Sequence, residues 1–333
     1  MQHSSKTGKV LVTGGAGFIG SALIWQLNRE GIDNILVTDF LGEDDKYQNL
    51  VPLRFADYLE GDALLELIEK NDPLLQDVKT IFHLGACSAT TERNARYLIQ
   101  NNYEYTRRLA EWALRYDVRF VYASSAATYG DGTDGMDDKM EDISRLRPLN
   151  MYGYSKHLFD LHAKRNGYLD RLVGLKYFNV YGPNEYHKGS MVSMVYRAFH
   201  QIKQEGSVKL FQSDRPEYKD GEQMRDFLYV KDAVSVTLHL ARTPTAGGLF
   251  NVGSGKARTW LDLMRAIFAA QHLPEKVDFI PMPDVLKAKY QYFTEADITK
   301  LRTTGYHQEI PSLEESVADY VKNYLIPGKH LGE

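Results

Sequence analysis

Lys9-Val-Leu-Val-Thr-Gly-Gly-Ala-Gly-Phe-Ile-Gly20 is the stretch from which the fold follows. A short apolar run stops at glycines, as a buried parallel strand does. Phe18 to Glu30 then has helical spacing, with Ile19, Leu23 and Leu27 on one face. Gly14, Gly17 and Gly20 thus lie between a strand and a helix, the context that a dinucleotide-binding turn requires. There a helix N-terminus offers unpaired N–H groups and a positive dipole end to a pyrophosphate. The spacing is G-x-x-G-x-x-G rather than the commoner G-x-G-x-x-G.

The rhythm continues outward. Asn34 to Asp39, Thr80 to Leu84, Arg119 to Ala123 and Leu172 to Phe178 read as buried strands. Between them, Ala63 to Glu69, about Asn94 to Tyr116, and Tyr154 to Arg165 read as helices. This alternation predicts an α/β fold, a Rossmann-type doubly wound parallel sheet covered on both faces. After Gly182-Pro183 the pattern changes: a helix over Met191 to Gln204, a short strand at Lys209 to Phe211, and a charged loop from Ser213 to Met224. Phe227 to Val230 and Leu249 to Val252 read as strands returning to the sheet, and helices follow near Leu261 to Gln271 and Leu313 to Tyr324. The expected organisation is a dinucleotide-binding domain over 1–180, with strands returning from about 226–252. A smaller, interleaved substrate lobe takes 181–225 and 253–333.

Composition narrows the class. With 333 residues, 43% of them hydrophobic and 25% charged, the chain is an ordinary globular one with room for a buried core. A net charge of −4 points to neither a nucleic-acid nor a membrane partner. No apolar run reaches the length of a membrane span, and the polar opening does not read as a signal segment. The sole cysteine, Cys87, suits a reducing compartment, so the expected location is cytoplasmic. No metal-ligand pattern occurs, and no metal is expected.

Asp39, ending the second strand, is placed to hold adenosine ribose hydroxyls, which by itself favours NAD. Lys46, a few residues on, could pair with a 2′-phosphate, so NAD and NADP both stay open. His83-Leu-Gly-Ala-Cys-Ser88 follows a strand, and the backbone of Leu84, Gly85, Ala86, Cys87 and Ser88 can line the cofactor. Cys87 itself reads as a small packing residue, since no activating base lies near it in sequence. Tyr152 and Lys156 are four apart, on one helix face, where a cation would favour the phenolate and bring Tyr152 below its usual range. That makes Tyr152 a candidate general base toward a sugar hydroxyl. Lys156 could also bind the nicotinamide ribose, and Ser125, at a strand end, could hydrogen-bond the reacting oxygen. Tyr154 lies on another side of the helix.

The glycine loop, Ser125, Tyr152-x-x-x-Lys156, Tyr177-Phe-Asn-Val-Tyr-Gly-Pro183, Arg225-Asp-Phe-Leu-Tyr-Val230 and Phe250-Asn-Val-Gly-Ser-Gly255 resemble the extended short-chain dehydrogenase/reductase family, which acts mostly on nucleotide sugars. Gly85 to Ser88, Tyr122 to Gly130, Pro148 to Lys156, His187-Lys-Gly-Ser-Met191 and Tyr290-Gln-Tyr-Phe-Thr294 narrow the resemblance, over essentially the whole chain, to epimerases of that family. The resemblance implies epimerisation at C6″ of an ADP-linked heptose, for lipopolysaccharide core supply, with tightly bound NADP, or NAD. It implies cofactor contacts from Phe18, Ile19, Asp39, Lys46, Asn101, Lys156, Val180 and Lys188, and acid/base roles for Tyr152 and Lys188. Asn179, Ser190, Arg197, Phe211, Arg225 and Tyr290 would hold the substrate, and a homo-oligomer is expected. Four features depart from the family's pattern. Phe40 replaces a residue that is often polar, Gly61 stands where a second phosphate-binding lysine can occur, Arg197 stands where a substrate histidine is expected, and the loop from Ser213 to Met224 is long.

A second proton carrier makes chemical sense. The two epimers point their hydroxyls in different directions, and one fixed base does not easily reach both. Lys188 suits that task; as the bland alternative, it is a surface lysine beside His187. Two other readings compete. A different nucleotide-sugar epimerase or 4,6-dehydratase shares the fold, but Ser125-Ala-Ala-Thr128 lacks the acid pair of a dehydratase. A non-catalytic NAD(P)-binding regulator would have lost Tyr152 or Lys156.

Overall fold

The structure, a computed structural model, describes residues 8–287 and 290–333. The reading of the polar opening as no signal segment falls on residues 1–7, outside the described range. The strands are β1 (Lys9–Thr13), β2 (Ile35–Asp39), β3 (Asp57–Glu60), β4 (Val78–His83), β5 (Arg119–Ser125) and β6 (Leu172–Tyr177). They continue with β7 (Asn179–Tyr181), β8 (Val208–Phe211), β9 (Met224–Tyr229), β10 (Gly248–Val252), β11 (Ala257–Thr259) and β12 (Val277–Ile280). Seven of these form one sheet in the order β10-β6-β5-β4-β1-β2-β3, and every pair in it is parallel. Strand order reverses between β1 and β4, so the crevice at their carboxyl ends is where a ligand belongs.

The strands alternate between two cores. Val10, Val12, Ile35 and Val37 join one buried cluster, while Leu11, Leu36, Ile81 and Phe120 join the other. Residues one apart point to opposite sheet faces, so a continuous apolar run is what a doubly covered sheet needs. Each fully buried aliphatic side chain is worth roughly 1.5–3 kcal/mol relative to an exposed one. The first cluster takes α1 (Phe18–Arg29). The second takes α2 (Gly61–Lys70), through Leu64 and Ile68.

The predicted helix near Asn94–Tyr116 has three parts. Asn94 caps α3 (Ala95–Leu98), a π-helical segment runs over Ile99–Glu104, and α4 (Tyr105–Arg115) follows. Next, α5 (Met151–Arg165) starts three residues before its predicted start at Tyr154, because the Asn150 side chain accepts from the Gly153 N–H at 2.8 Å. That start puts Tyr152 and Lys156 in the same regular helix.

Beyond the sheet, α6 (Met194–Glu205), α7 (Val230–Arg242) and α8 (Trp260–Ala270) complete the main helices. One strand expectation is corrected. The segment predicted as Phe227 to Val230 is β9, and it does not return to the main sheet; it sits between β11 and β7 in a three-stranded sheet. Its neighbour in space, β7, is separated from the end of β6 by a single residue and carries the chain out of the large sheet into this smaller one. By contrast β10 does return, pairing in parallel with β6. The described residues contain no helix long and apolar enough to cross a membrane.

A buried polar knot ties α5 to β5 and β6. Tyr122 and Ser124 donate to the Asp160 carboxylate at 2.9 and 2.7 Å, and Lys176 reaches it at 3.2 Å. Lys176 and Asp160 are 1% and 0% exposed, so neither charge has water to fall back on. Replacing Asp160 with Ala strands the ammonium and is expected to cost about 3–5 kcal/mol in equilibrium urea unfolding. A loss under ~1 kcal/mol would show that the knot carries little of the stability.

Candidate active site

The floor of the crevice is built from close backbone contacts. At Gly14, φ is +67°, and a Cβ there would lie 2.5 Å from the Gly85 backbone. A Cβ on Gly20 would lie 2.1 Å from the Gly14 carbonyl oxygen. Both positions require glycine, one for conformation and approach, the other for approach alone. The result is a cavity of about 660 Å³ lined by Gly14, Gly17, Phe18, Ile19 and Gly20, and by Leu84 to Ser88. No side chain caps the N-terminus of α1, and no acidic residue stands in its first turn. The first N–H groups and the dipole end are therefore available to an anion, and the site fits a dinucleotide pyrophosphate.

Asp39 organises one end of the cavity. Its Oδ2 accepts from the Ala16 and Gly17 N–H groups at 2.9 and 3.1 Å; its Oδ1 accepts from Phe40 N–H and from Lys46 Nζ at 3.1 Å. Lys46 thus offsets the carboxylate charge of Asp39. A side pocket of about 130 Å³ opens next to it, lined by Asp39, Phe40, Lys46, Gly61, Asn101 and Tyr105 among others. A Cβ on Gly61 would lie 2.4 Å from the Phe40 ring, so these two departures from the family pattern are one packing unit. Asn101 lines this pocket, and its side chain donates to the Tyr97 carbonyl at 2.9 Å.

Sequence reading missed the next residue. Asn102 is buried and binds Cys87 twice, accepting from its N–H and donating to its carbonyl, both at 2.9 Å; it also reaches Ser155 Oγ at 3.0 Å. The π-helical segment puts Asn101 and Asn102 to these two uses. His83 was quoted only as the head of its motif. It bonds Thr13 at 2.7 Å and Thr106 at 2.8 Å, and burial, with Lys156 nearby, lowers its pKa to about 3, so it stays neutral. The signal for His83 was a polar side chain at the end of an apolar strand; Asn102, among Gln100, Asn101 and Glu104, gave none.

Farther along, Ser125, Tyr152, Lys156 and Lys188 all line the large cavity, with Asn179 and Val180. Ser125 ends β5, and its hydroxyl, which accepts from the Ala127 N–H at 3.1 Å, lies beside the Tyr152 phenol. Lys156 Nζ donates to the Ala123 carbonyl at 2.9 Å, and burial brings its pKa down to about 8 against the opposing pull of Asp160. The expectation of a lowered Tyr152 is corrected: burial pushes the phenol up, outweighing the opposing pull of Ser125. Lys156 is held on a carbonyl and does not bring the phenol down. Tyr154 is 44% exposed and absent from the lining. Burial also pushes the Cys87 thiol up, which leaves it unactivated.

Lys188 is no surface lysine. Its ammonium lies 5.0 Å from the Phe18 ring centre, and burial lowers its pKa despite the charge of Glu185. Glu185, also missed, is buried and holds both ends of the loop that carries Lys188. It accepts from Gly182 N–H at 3.3 Å, from Ser193 through its N–H and its hydroxyl, and from Tyr320 OH at 3.1 Å. His187 lines the cavity and meets Asn49 at 3.3 Å, while Asn49 donates to the Ala16 carbonyl at 2.9 Å. The glycine loop and the Lys188 loop are thereby tied together.

The residues expected from the sequence to hold substrate are less gathered. Of six, only Asn179 lines the large cavity. Ser190 is exposed, and its carbonyl accepts from Arg197 at 2.7 Å. Phe211 ends β8, half-buried. Arg225 and Tyr290 pair, with the guanidinium 5.2 Å from the ring centre. Arg225 is 6% exposed, and among the described residues no carboxylate comes within salt-bridge distance of it. Its guanidinium donates to the Met224 carbonyl at 2.8 Å. A buried cation without a counter-charge is costly, and a diphosphate would supply one.

Comparison with known proteins bears on this arrangement. The NAD dependent epimerase/dehydratase family matches residues 10–253. The ADP-L-glycero-D-manno-heptose-6-epimerase of Nitratidesulfovibrio vulgaris (strain DP4) is 52% identical over 315 residues, covering 95% of this chain and 97% of that protein. The crystal structure of the Helicobacter pylori ADP-L-glycero-D-manno-heptose-6-epimerase superposes with a TM-score of 0.78 at 27% identity, over 97% of this chain and 99% of that one. The UDP-glucuronic acid 4-epimerase from Bacillus cereus, in complex with UDP-glucuronic acid and NAD, gives a TM-score of 0.75 at 25% identity, over 95% and 99%.

The lowered Lys156 pKa makes a stability prediction. Unfolded, the amine titrates near 10.4; folded, near 8, so between these values the unfolded chain holds more protons. The cofactor-free protein should therefore gain stability relative to its Lys156→Met variant as pH rises from about 8 to 10, by at most ~1.4 kcal/mol per pH unit. Parallel urea titrations at several pH values measure it. A difference that is flat with pH would mean that Lys156 is not shifted.

Proposed function

This chain belongs to the NAD dependent epimerase/dehydratase family, and from that premise we propose that it epimerises C6″ of ADP-D-glycero-D-manno-heptose to give the L-glycero epimer. It is an isomerase, redox-neutral overall, and its product would serve as a heptose donor for lipopolysaccharide core. The observation that carries the reading is that Tyr152 and Lys188, from different elements, line the same cavity as the glycine loop. A fold that needed only one proton carrier would have no use for a second, desolvated amine there.

The chemistry requires proton transfer at one oxygen from two directions. The nicotinamide ring supplies, when bound, a reversible hydride acceptor. Glycines 14, 17 and 20 with the start of α1 would hold its pyrophosphate, Asp39 its adenosine ribose, and Lys156 its nicotinamide ribose. Lys46, beside Asp39, favours NADP as the resident cofactor, with NAD as the alternative. Tyr152 Oη, beside Ser125, serves one epimer's C6″ hydroxyl, and Lys188 Nζ serves the other's. Burial displaces the two groups in opposite senses. The phenol keeps its proton more firmly and the ammonium gives its proton up more easily, which suits one as acid and the other as base. The ketone intermediate turns over in the cavity between them. Asn179, Ser190, Arg197, Phe211, Arg225 and Tyr290 would hold the nucleotide and sugar.

Two variants test this. Tyr152→Phe and Lys188→Met should each lower the maximal rate of C6″ inversion by about 10²–10⁴-fold, with folding and bound nucleotide intact. NMR at C6″ follows inversion, and denaturing the protein identifies the released nucleotide. Deuterium at C6″ should stay in the product. Full activity in Lys188→Met, or a raised Michaelis constant at an unchanged maximal rate, would sink the second base.

A further inference from the structure

We propose that Trp260 is a positioning residue for the nucleotide half of the substrate, the wall shared by the large cavity and the Arg225–Tyr290 pair. This rests on the nucleotide-sugar reading above and deepens it. Arg225 and Tyr290 do not line the cavity themselves, yet Trp260 does. Trp260 touches both of them: its Nε1–H donates to Tyr290 OH at 2.9 Å, and Arg225 lies 5.7 Å from its ring centre. The buried guanidinium therefore sits between two aromatic rings, which replace part of its lost hydration without neutralising it. Its charge stays available to an entering diphosphate.

The indole is itself held from below. Trp260 opens α8, where Thr259 and Asp262 form a capping box, and its backbone N–H donates to the Gln223 carbonyl at 3.1 Å. Phe227, on β9 beside Arg225, packs edge-on against it at 5.1 Å. A ring fixed at backbone and side chain can fix its neighbours, so loss of the indole frees both the guanidinium and the phenol. Position 260 is thus expected to act on ground-state binding of the nucleotide, not on the proton transfers at C6″.

The protein carries three tryptophans, and Trp25 and Trp112 lie outside the cavity lining. An emission change on nucleotide binding can therefore be assigned. The test titrates the cofactor-loaded enzyme with ADP alone, following tryptophan emission and, separately, equilibrium dialysis. Wild type and Trp25→Phe should show an emission change that saturates with binding, and Trp260→Phe should lose the emission change while still binding ADP. Trp260→Leu should weaken ADP binding by about 5- to 30-fold and raise the Michaelis constant for the nucleotide sugar in step, with kcat nearly unchanged. An emission change that persists in Trp260→Phe overturns the assignment, as does ADP binding by folded Trp260→Leu as tight as wild type. Should Trp260→Leu not fold, the Trp260→Phe result decides alone. Failure of wild type to bind ADP by dialysis overturns the nucleotide-sugar reading, and this inference with it.

Discussion

The molecule depends on the approach of two backbones at the centre of its sheet. Where β1 and β4 end, Gly14 and Gly85 stand so close that neither neighbour leaves room for a Cβ at position 14, and Gly20 brings α1 down onto the Gly14 carbonyl. Thr13 fastens the same spot, accepting from the Gly85 N–H through its hydroxyl and from the Leu84 N–H through its carbonyl. With those distances set, the helix N-terminus points into the crevice and the strand order must part there. Everything that faces the cofactor is measured from this contact.

Around that fixed floor the site gathers buried cations that, among the described residues, have no salt-bridge partner. Lys156, Lys188 and Arg225 are each desolvated enough to lower their affinity for protons. Among the described residues none of the three makes a salt bridge with a carboxylate within 4 Å. Burying charge this way costs stability, and the Asp160–Lys176 knot shows how the same fold satisfies a buried lysine when no ligand is intended. The contrast separates two kinds of buried cation: one is paired with a carboxylate from within the chain, and the other three have no salt-bridge partner among the described residues.

How much of this could be read from the sequence varied with how local each feature is. The glycine loop, its strand and helix, and the Tyr152–Lys156 spacing are local patterns, and period-2 and period-3.6 reasoning reaches them. The start of α5 was placed late because the Asn150 cap, a side chain to backbone bond, outweighs the weak apolar signal of Met151 to Gly153. The lowered Tyr152 phenol was wrong for a different reason: four residues of spacing does not say where an ammonium points, and Lys156 turns to Ala123. Short strands such as β3 and β12, exposed or edge-like, carry no clean alternation and went unread. Residues that act through tertiary contact, Asn102, Glu185 and Trp260, leave no mark on their own neighbours in the chain.

The π-helical stretch at Ile99–Glu104 has a consequence for how this chain could change over time. A π turn accommodates one residue more than an α turn, so a single-residue deletion there would let the helix close up into regular α form. The cost would fall at a distance. Each residue of an α-helix advances the face by about 100°, so the loss would swing either the paired asparagines or the Leu109 and Ala113 side of α4 away from its partners. Substitutions in this helix can be absorbed one at a time, but changes in its length cannot. Lineages that inherit it are expected to vary in letter while keeping count.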